Sequence, residues 1–199
     1  MAKVITLAHQ KGGVGKSTLA VNLAHAFKDN AKTGIIDLDA QGSVAETAAK
    51  IEGVTLLPSF NASYNKDFTA IFIDTPPYLS DQLTQVFAIS DLILIPTKAG
   101  VYDVLACRKT VALVKEAMSK KASLKAAIVF NMINSTTTLT NEVKEQLESL
   151  GLPILKTQIT ERVNFVRSIA LPDGIYSTSD SKAIKEINNL TKEILFLLQ

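Results

Sequence analysis

The sequence predicts an α/β protein built on a doubly wound, mainly parallel sheet with helices on both faces. Three observations lead there. Short apolar runs bounded by turn residues recur along the chain, and the segments between them carry helical spacing. The first run leads directly into a glycine-rich loop, Gly12-Gly13-Val14-Gly15, that opens one of those helical segments. With 199 residues, 47% of them hydrophobic, and a mean hydropathy of +0.20, the chain can bury a core as one domain over residues 1–199. At this size no disulfide or metal staple is needed.

The predicted strands, in order, are Val4 to Ala8, Gly34 to Leu38, Val54 to Leu57, Ala70 to Ile73, Leu92 to Ile95, Ala126 to Phe130 and Ile154 to Ile159. Their hydrophobicity is nearly continuous rather than alternating, which suits strands covered on both faces. Among the helices, Val104, Cys107, Val111, Val114 and Met118 form one apolar stripe in steps of three and four. Cys107 on that stripe reads as core, not as a nucleophile. The last helix repeats the pattern through Ile184, Ile187, Leu190, Ile194 and Leu197, with Ser179, Asp180 or Ser181 as its cap. Residues Ser59 to Lys66 are short and polar and read as a loop or a reduced helix. Right-handed crossovers between such elements place ligands at the carboxyl ends of the strands.

Composition excludes several classes. A single cysteine cannot form an internal disulfide, and the N-terminus lacks the pattern of a signal peptide, so a cytoplasmic setting is expected. No stretch is long and apolar enough for a membrane span. A net charge of +2 is too mild to imply nucleic acid on its own.

Chemistry concentrates in three segments. In Lys11-Gly12-Gly13-Val14-Gly15-Lys16-Ser17-Thr18, the glycines let the backbone approach phosphates closely and accept φ angles that a β-carbon forbids. Lys16 would neutralise β and γ phosphates, Ser17 would ligate Mg²⁺, and the following helix would point its positive end at the nucleotide. The second strand ends in Asp37-Leu38-Asp39-Ala40-Gln41-Gly42, whose period of two puts both carboxylates on one face. A capping Asp before a helix is the plainer reading of that segment. The fourth run ends in Asp74-Thr75-Pro76-Pro77, an apolar strand closing on a carboxylate, as a Walker B segment does. The two prolines stop the strand and stiffen the loop after it.

Gln10 stands where the general phosphate-loop pattern has its first glycine, and Lys11 follows it. With this lysine the loop resembles the deviant Walker A motif of the ParA/MinD ATPases, a class of P-loop NTPases. By that resemblance Lys11 reaches across an ATP-bound homodimer to the partner's phosphates. The Asp37 to Gly42 segment is similar to the family's D-x-D-P-Q-G, with Ala40 in place of proline. The resemblance makes Asp39 the residue that positions the attacking water and lets Asp37 support the Mg²⁺ shell. Asp74 matches the family's D-x-P-P aspartate and would hold Mg²⁺ through water. Asn131, after the strand ending at Phe130, matches the position from which relatives recognise adenine. Locally, an Asn at a strand end serves equally as a turn former. The family's usual P-S after Pro96 is absent, since Thr97 follows.

Basic residues cluster between Arg108 and Lys125, where Arg108, Lys109, Lys115, Lys120, Lys121 and Lys125 face only Glu116. A solvated helix face is the commoner reading of such a run. Arg162, Arg167, Lys182 and Lys185 lie near the region through which ParA dimers bind DNA without sequence preference. The stretch Gln158 to Gly174 and the final helix resemble the small ParF-like subgroup. The resemblance implies a partition ATPase using ATP and Mg²⁺, dimeric when ATP-loaded and nucleoid-associated through nonspecific DNA. Hydrolysis would be stimulated by a centromere-binding or cargo-adaptor protein. With no helix-turn-helix segment before the phosphate loop, operator binding is not expected. Positioning of protein cargo, such as a carboxysome or chemoreceptor cluster, is the alternative. A MinD-like membrane regulator needs a basic amphipathic tail, and Ile194 to Gln199 has no basic residue. A metal-cluster carrier needs paired cysteines. A metabolic P-loop kinase has no recognisable acceptor site here.

Overall fold

The computed structural model describes residues 1–29, 31–39, 44, 52–61, 63–77, 81–134 and 141–199. Six strands, β1 (Lys3–Leu7), β2 (Thr33–Asp37), β3 (Val54–Leu57), β4 (Ala70–Asp74), β5 (Leu92–Thr97) and β6 (Lys125–Phe130), form one sheet in the order β3-β2-β4-β1-β5-β6. Every pairing is parallel. The helices are α1 (Lys16–Lys28), α2 (Tyr64–Asp67), α3 (Asp81–Ile89), α4 (Val101–Lys120), α5 (Asn141–Glu148), α6 (Val163–Ser168) and α7 (Ser181–Leu197).

The unbroken apolar runs follow from burial on both faces. In β4, Ala70 and Phe72 join the core under α1 and α7, while Ile71 and Ile73 enter the opposite layer with Val86 of α3. Phe27 of α1 meets Phe72 edge-on at 5.2 Å, which fixes the helix across the middle of the sheet. On the other face Val104, Cys107, Val111 and Val114 of α4 pack with Ile93, Ile95 and Ile128. Burial pushes the Cys107 thiol up to about 12, so it is an inert core group. Asp180 caps α7 by accepting from the Ala183 amide at 3.0 Å.

The run Ile154 to Ile159 departs from its expected strand form. It meets β6 and the residues after it at isolated bridges, Ile154 to Ile128 and Thr160 to Ile133, with the Leu155 and Ile159 amides donating to the Ile128 and Phe130 carbonyls. Between those points the Lys156 and Thr157 amides donate to the Glu193 carboxylate at 2.8 and 2.7 Å. A side chain of α7 thus takes donors that a continuous ladder would have used. Glu186, two turns earlier on α7, accepts from the Thr160 amide and hydroxyl. The polar stretch Ser59 to Lys66 runs into the one-turn helix α2, which begins at Tyr64.

A buried polar staple holds α1 to the segment after α6. Asn22 donates to the Thr18 carbonyl and the Ser168 hydroxyl at 2.7 and 2.8 Å, and its Oδ1 accepts the Ile175 amide at 2.7 Å. The helix that begins at the phosphate loop is therefore anchored at both the sheet and the α6 side.

Candidate nucleotide site

β1 lies between β4 and β5. Successive connections diverge there, which is where open parallel sheets place ligands. The loop leaving β1 turns through Gly13 at φ 69 and Gly15 at φ 86, left-handed values that a side chain resists. α1 starts at Lys16 with no side-chain cap, so the amides of its first turn are left for an anion.

A cleft of about 330 Å³ opens over this loop, lined by Gly12, Gly13, Gly15, Lys16, Ser17, Thr18, Asp39, Pro77, Met132, Val166 and Ile169. A smaller cavity of about 50 Å³ adjoins it, where Thr18, Asn131 and Met132 meet Thr160, Phe165 and Val166. A second large cleft, of about 350 Å³ between Ile36, Leu38, Phe60 and α3, is lined by no charged side chain among the described residues.

Lys16 is only 6% exposed. Burial lowers its pKa, and the carboxylates of Asp74 and Asp39 draw it back up. Asp74, fully buried, is paired in register with Asp37 on the neighbouring strand. Burial pushes Asp74 up to about 7; Ser17 pulls it down, Asp37 pushes it up, and Lys16 and Asp39 add smaller opposing effects. No well-formed hydrogen bond reaches either Asp74 oxygen among the described residues. A buried carboxyl group left in this state, beside a hydroxyl and an ammonium, is what a hard cation with oxygen ligands would complete. Ser17 and Asp74 therefore fit Mg²⁺. Among the described residues no three acidic, histidine or cysteine side chains form a metal cage. Mg²⁺ usually keeps waters and takes phosphate oxygens, so it needs none.

Asp37 is held by backbone amides. Its two oxygens accept the amides of Asp39 and Val44, each at 3.0 Å, so it shapes the loop that presents Asp39. Asp39 is half-buried and lines the main cleft. Ala40, Gln41 and Gly42, which carry part of the resemblance, lie outside the described residues.

Lys11 stands at the rim with its side chain 43% exposed, and its ammonium pairs with Asp103 in the first turn of α4 at 2.6 Å. The Lys11 amide donates to His9 Nδ1 at 2.9 Å, and the Gln10 amide to the Thr110 hydroxyl at 3.2 Å. Burial and the Lys16 ammonium push His9 down to about 4, so the ring is a neutral acceptor. Asp103, His9 and Thr110 were not legible as site residues from the sequence. Asp103 carried one signal, an acid in the first turn of the helix after β5.

Asn131, 3% exposed, donates from its side chain to the Val14 carbonyl at 2.7 Å. Of the four basic candidates, Arg167, Lys182 and Lys185 are exposed. Arg162 is turned inward instead, against Glu186 at 3.3 Å and Asp180 at 3.8 Å. It ties the start of α6 to α7.

An all-parallel sheet carrying a glycine-rich turn and a helix start at its switch point defines a nucleotide-binding α/β protein. Residues 5–171 match the model of the CobQ/CobB/MinD/ParA nucleotide binding domain, and the chain belongs to that family. It is 25% identical to maintenance of carboxysome distribution protein A of Halothiobacillus neapolitanus, covering 98% of this chain and 97% of that one. It is 24% identical to the chromosome-partitioning ATPase Soj of Thermus thermophilus, over 82% of this chain and 83% of that one. Its fold is similar to that of a candidate plasmid partition protein from Borrelia burgdorferi B31 bound to AMPPNP. That match has a TM-score of 0.76 and 24% identity, and covers 98% of this chain and 99% of that one.

Proposed function

We propose that the protein is a ParA-type, Mg-ATP-dependent ATPase that partitions plasmid or chromosomal DNA. It dimerises when ATP-loaded, binds DNA without sequence preference in that state, and is released by partner-stimulated hydrolysis. The observation that carries the reading is that Lys16 and Asp39 line one cleft over the glycine-rich loop, with the buried Asp74 near enough to act on the Lys16 charge and Lys11, next to Gly12, paired with Asp103.

Lys16 and the amides of Gly12 to Thr18 bind the phosphates, the loop amides supplying donors and Lys16 the charge. Mg²⁺, held by Ser17 and Asp74, would supply charge neutralisation on the phosphoryl oxygens. Asp39 orients the attacking water. Its task is positioning, because phosphoryl transfer gains more from alignment and charge than from full proton removal. Lys11 leaves Asp103 to reach a second copy's phosphates. Val101, Tyr102 and Leu105 on α4 are 59%, 79% and 47% exposed beside that ion pair, an apolar rim suited to meeting the second copy. Arg167, Lys182 and Lys185 carry the phosphate contacts to DNA, so binding falls steeply with salt.

A second reading, positioning of a protein cargo, is favoured by the near full-length similarity to a carboxysome distribution protein. One experiment addresses both. The Asp39→Ala protein, loaded with ATP, is expected to form a dimer that hydrolyses slowly and retains its adaptor in a pull-down. A DNA-binding adaptor supports partitioning, and an adaptor of a protein assembly supports the second reading. An Asp39→Ala protein that hydrolyses ATP like the parent removes Asp39 from the mechanism.

A further inference from the structure

The Val14–Gly15 peptide sits at the centre of the phosphate loop. Val14 is fully buried, and its carbonyl accepts the 2.7 Å hydrogen bond from Asn131 Nδ2. A carbonyl can accept only from the NH₂ end of that side chain, so the bond also fixes which way the amide points. The consequence follows from peptide geometry. In a planar trans peptide the C=O and the next N–H point in opposite directions. Drawing the Val14 oxygen onto Asn131 therefore turns the Gly15 N–H away from Asn131.

Two further contacts make this arrangement specific. A β-carbon at Gly15 would collide with Asn131 Nδ2, so Gly15 is required by its neighbour as well as by its φ of 86. The Asn131 amide donates to the Thr97 carbonyl at 2.8 Å, which holds the residue in line with β5 and β6. The next residue, Met132, has φ 55, an uncommon value for a side-chain-bearing residue, and it turns the chain out to line the cleft.

We propose that Asn131 is a positioning residue of the phosphate loop, fixing the Val14–Gly15 peptide so that the Gly15 N–H is presented to the nucleotide's phosphates. It acts on phosphate through the backbone and is indifferent to the base. This rests on the nucleotide-site reading above and gives Asn131 a role different from adenine recognition. Without the donor, the Val14 carbonyl is left buried and unsatisfied or the peptide rotates; either way the loop loses its preset shape.

The test measures binding of Mg-ATP, Mg-GTP and Mg-tripolyphosphate to the full chain and to Asn131→Ala and Asn131→Asp, the latter nearly isosteric but without the donor. The expected result is that both variants weaken all three ligands by a common factor, roughly tenfold or more, with the GTP-to-ATP ratio unchanged. Weakening of ATP alone, with tripolyphosphate binding retained, overturns the proposal in favour of base recognition. Unchanged binding of all three also overturns it. Should thermal melts show that neither variant folds, the parent protein decides by NMR. Asn131 side-chain amide hydrogens that are exchange-protected without nucleotide, with equal shifts in ATP and GTP complexes, support the brace. Rapid exchange, or shifts that follow the base, overturns it. A parent chain that binds none of the three ligands strikes the nucleotide-site reading itself, a result distinct from all of these.

Discussion

Asp37 and Asp74 end neighbouring strands and stand opposite each other in register, yet they are in different physical states. Asp37 is half-buried and its oxygens are used by the backbone of its own loop. Asp74 is fully buried, has no well-formed hydrogen bond among the described residues, and has a pKa pushed up to about 7. The difference teaches how one residue type at one strand end serves two purposes. Carboxylates satisfied by amides are structural, and a buried carboxylate left short of partners is held in reserve for a cation or a proton. The same contrast divides the two lysines of the loop. Lys16 is buried among acids that lie around the cleft, and Lys11 is half-exposed and parked on an acid at the rim.

The contrast can be broken by substitution. The largest effect is expected at Lys16: Lys16→Ala should weaken Mg-ATP by about a hundredfold or more, because it leaves the phosphates without their buried counter-charge. Calorimetric titration checks this, and parent-like affinity would remove Lys16 from the site. Next, Asp74→Ala should lower Mg-dependent hydrolysis by roughly 10²- to 10³-fold, the scale of losing one electrostatic contact made in a transition state. Asp37→Ala should act chiefly through its loop, with a lower melting temperature as the primary sign and a loss of about 1–3 kcal/mol for the two freed amides. Equal behaviour of the two variants in a magnesium titration of hydrolysis would erase the distinction. Asp103→Ala should have a smaller effect in the opposite sense. Freed from its ion pair, Lys11 should favour the ATP-dependent dimer by a few-fold in analytical ultracentrifugation, the scale of one partly exposed ion pair. A weaker dimer would make Asp103 part of the interface itself.

How much of this was legible in the sequence varied with the range of the interaction. Strand runs and helix stripes were readable because burial on two faces, or on one stripe, imprints local periodicity. The phosphate loop was readable for the same reason: its glycines are required by local backbone angles. The run Ile154 to Ile159 looked like the other strands, and what interrupts it is Glu193, a residue on the last helix with no local signature. Asp103 was likewise hidden, since its partner Lys11 lies far away in sequence. Arg162 was a candidate DNA contact in the sequence, and its pairing with Glu186 and Asp180 appears only once α7 is packed against it. Asn131 was singled out at a strand end, but the bond to Val14 that gives it work spans most of the chain. The local code thus supplied the elements and the phosphate loop, and the side-chain partnerships came from assembly.

The smallest expected effect sharpens the comparison between Asp74 and Asp37 through stability alone. Folding raises Asp74 from its ordinary value of 3.8 to about 7, so between those values the folded state holds a proton that the unfolded state has lost. Its contribution is therefore full below about pH 4, falls as pH rises through 7, and levels off above. His9 and His25 act in the opposite direction, since burial pushes each from 6.5 to about 4, and the folded state has lost protons that the unfolded state keeps. Their contributions are full above about pH 6.5 and are lost as pH falls through 4. Between pH 4 and 6.5 the two histidines outweigh the one aspartate, so the nucleotide-free protein gains stability with rising pH, then loses slightly on approach to 7. Asp74→Asn removes only the opposing contribution. Urea midpoints from pH 4.5 to 7.5 should therefore rise more steeply in the variant and show no fall near neutrality, whereas Asp37→Asn should keep a smaller fall at lower pH, because one of the charges that pushes Asp74 up is gone while its burial remains. Parallel profiles for the parent and Asp74→Asn would mean that Asp74 titrates as an ordinary carboxylate and that the two strand ends do not differ in this way.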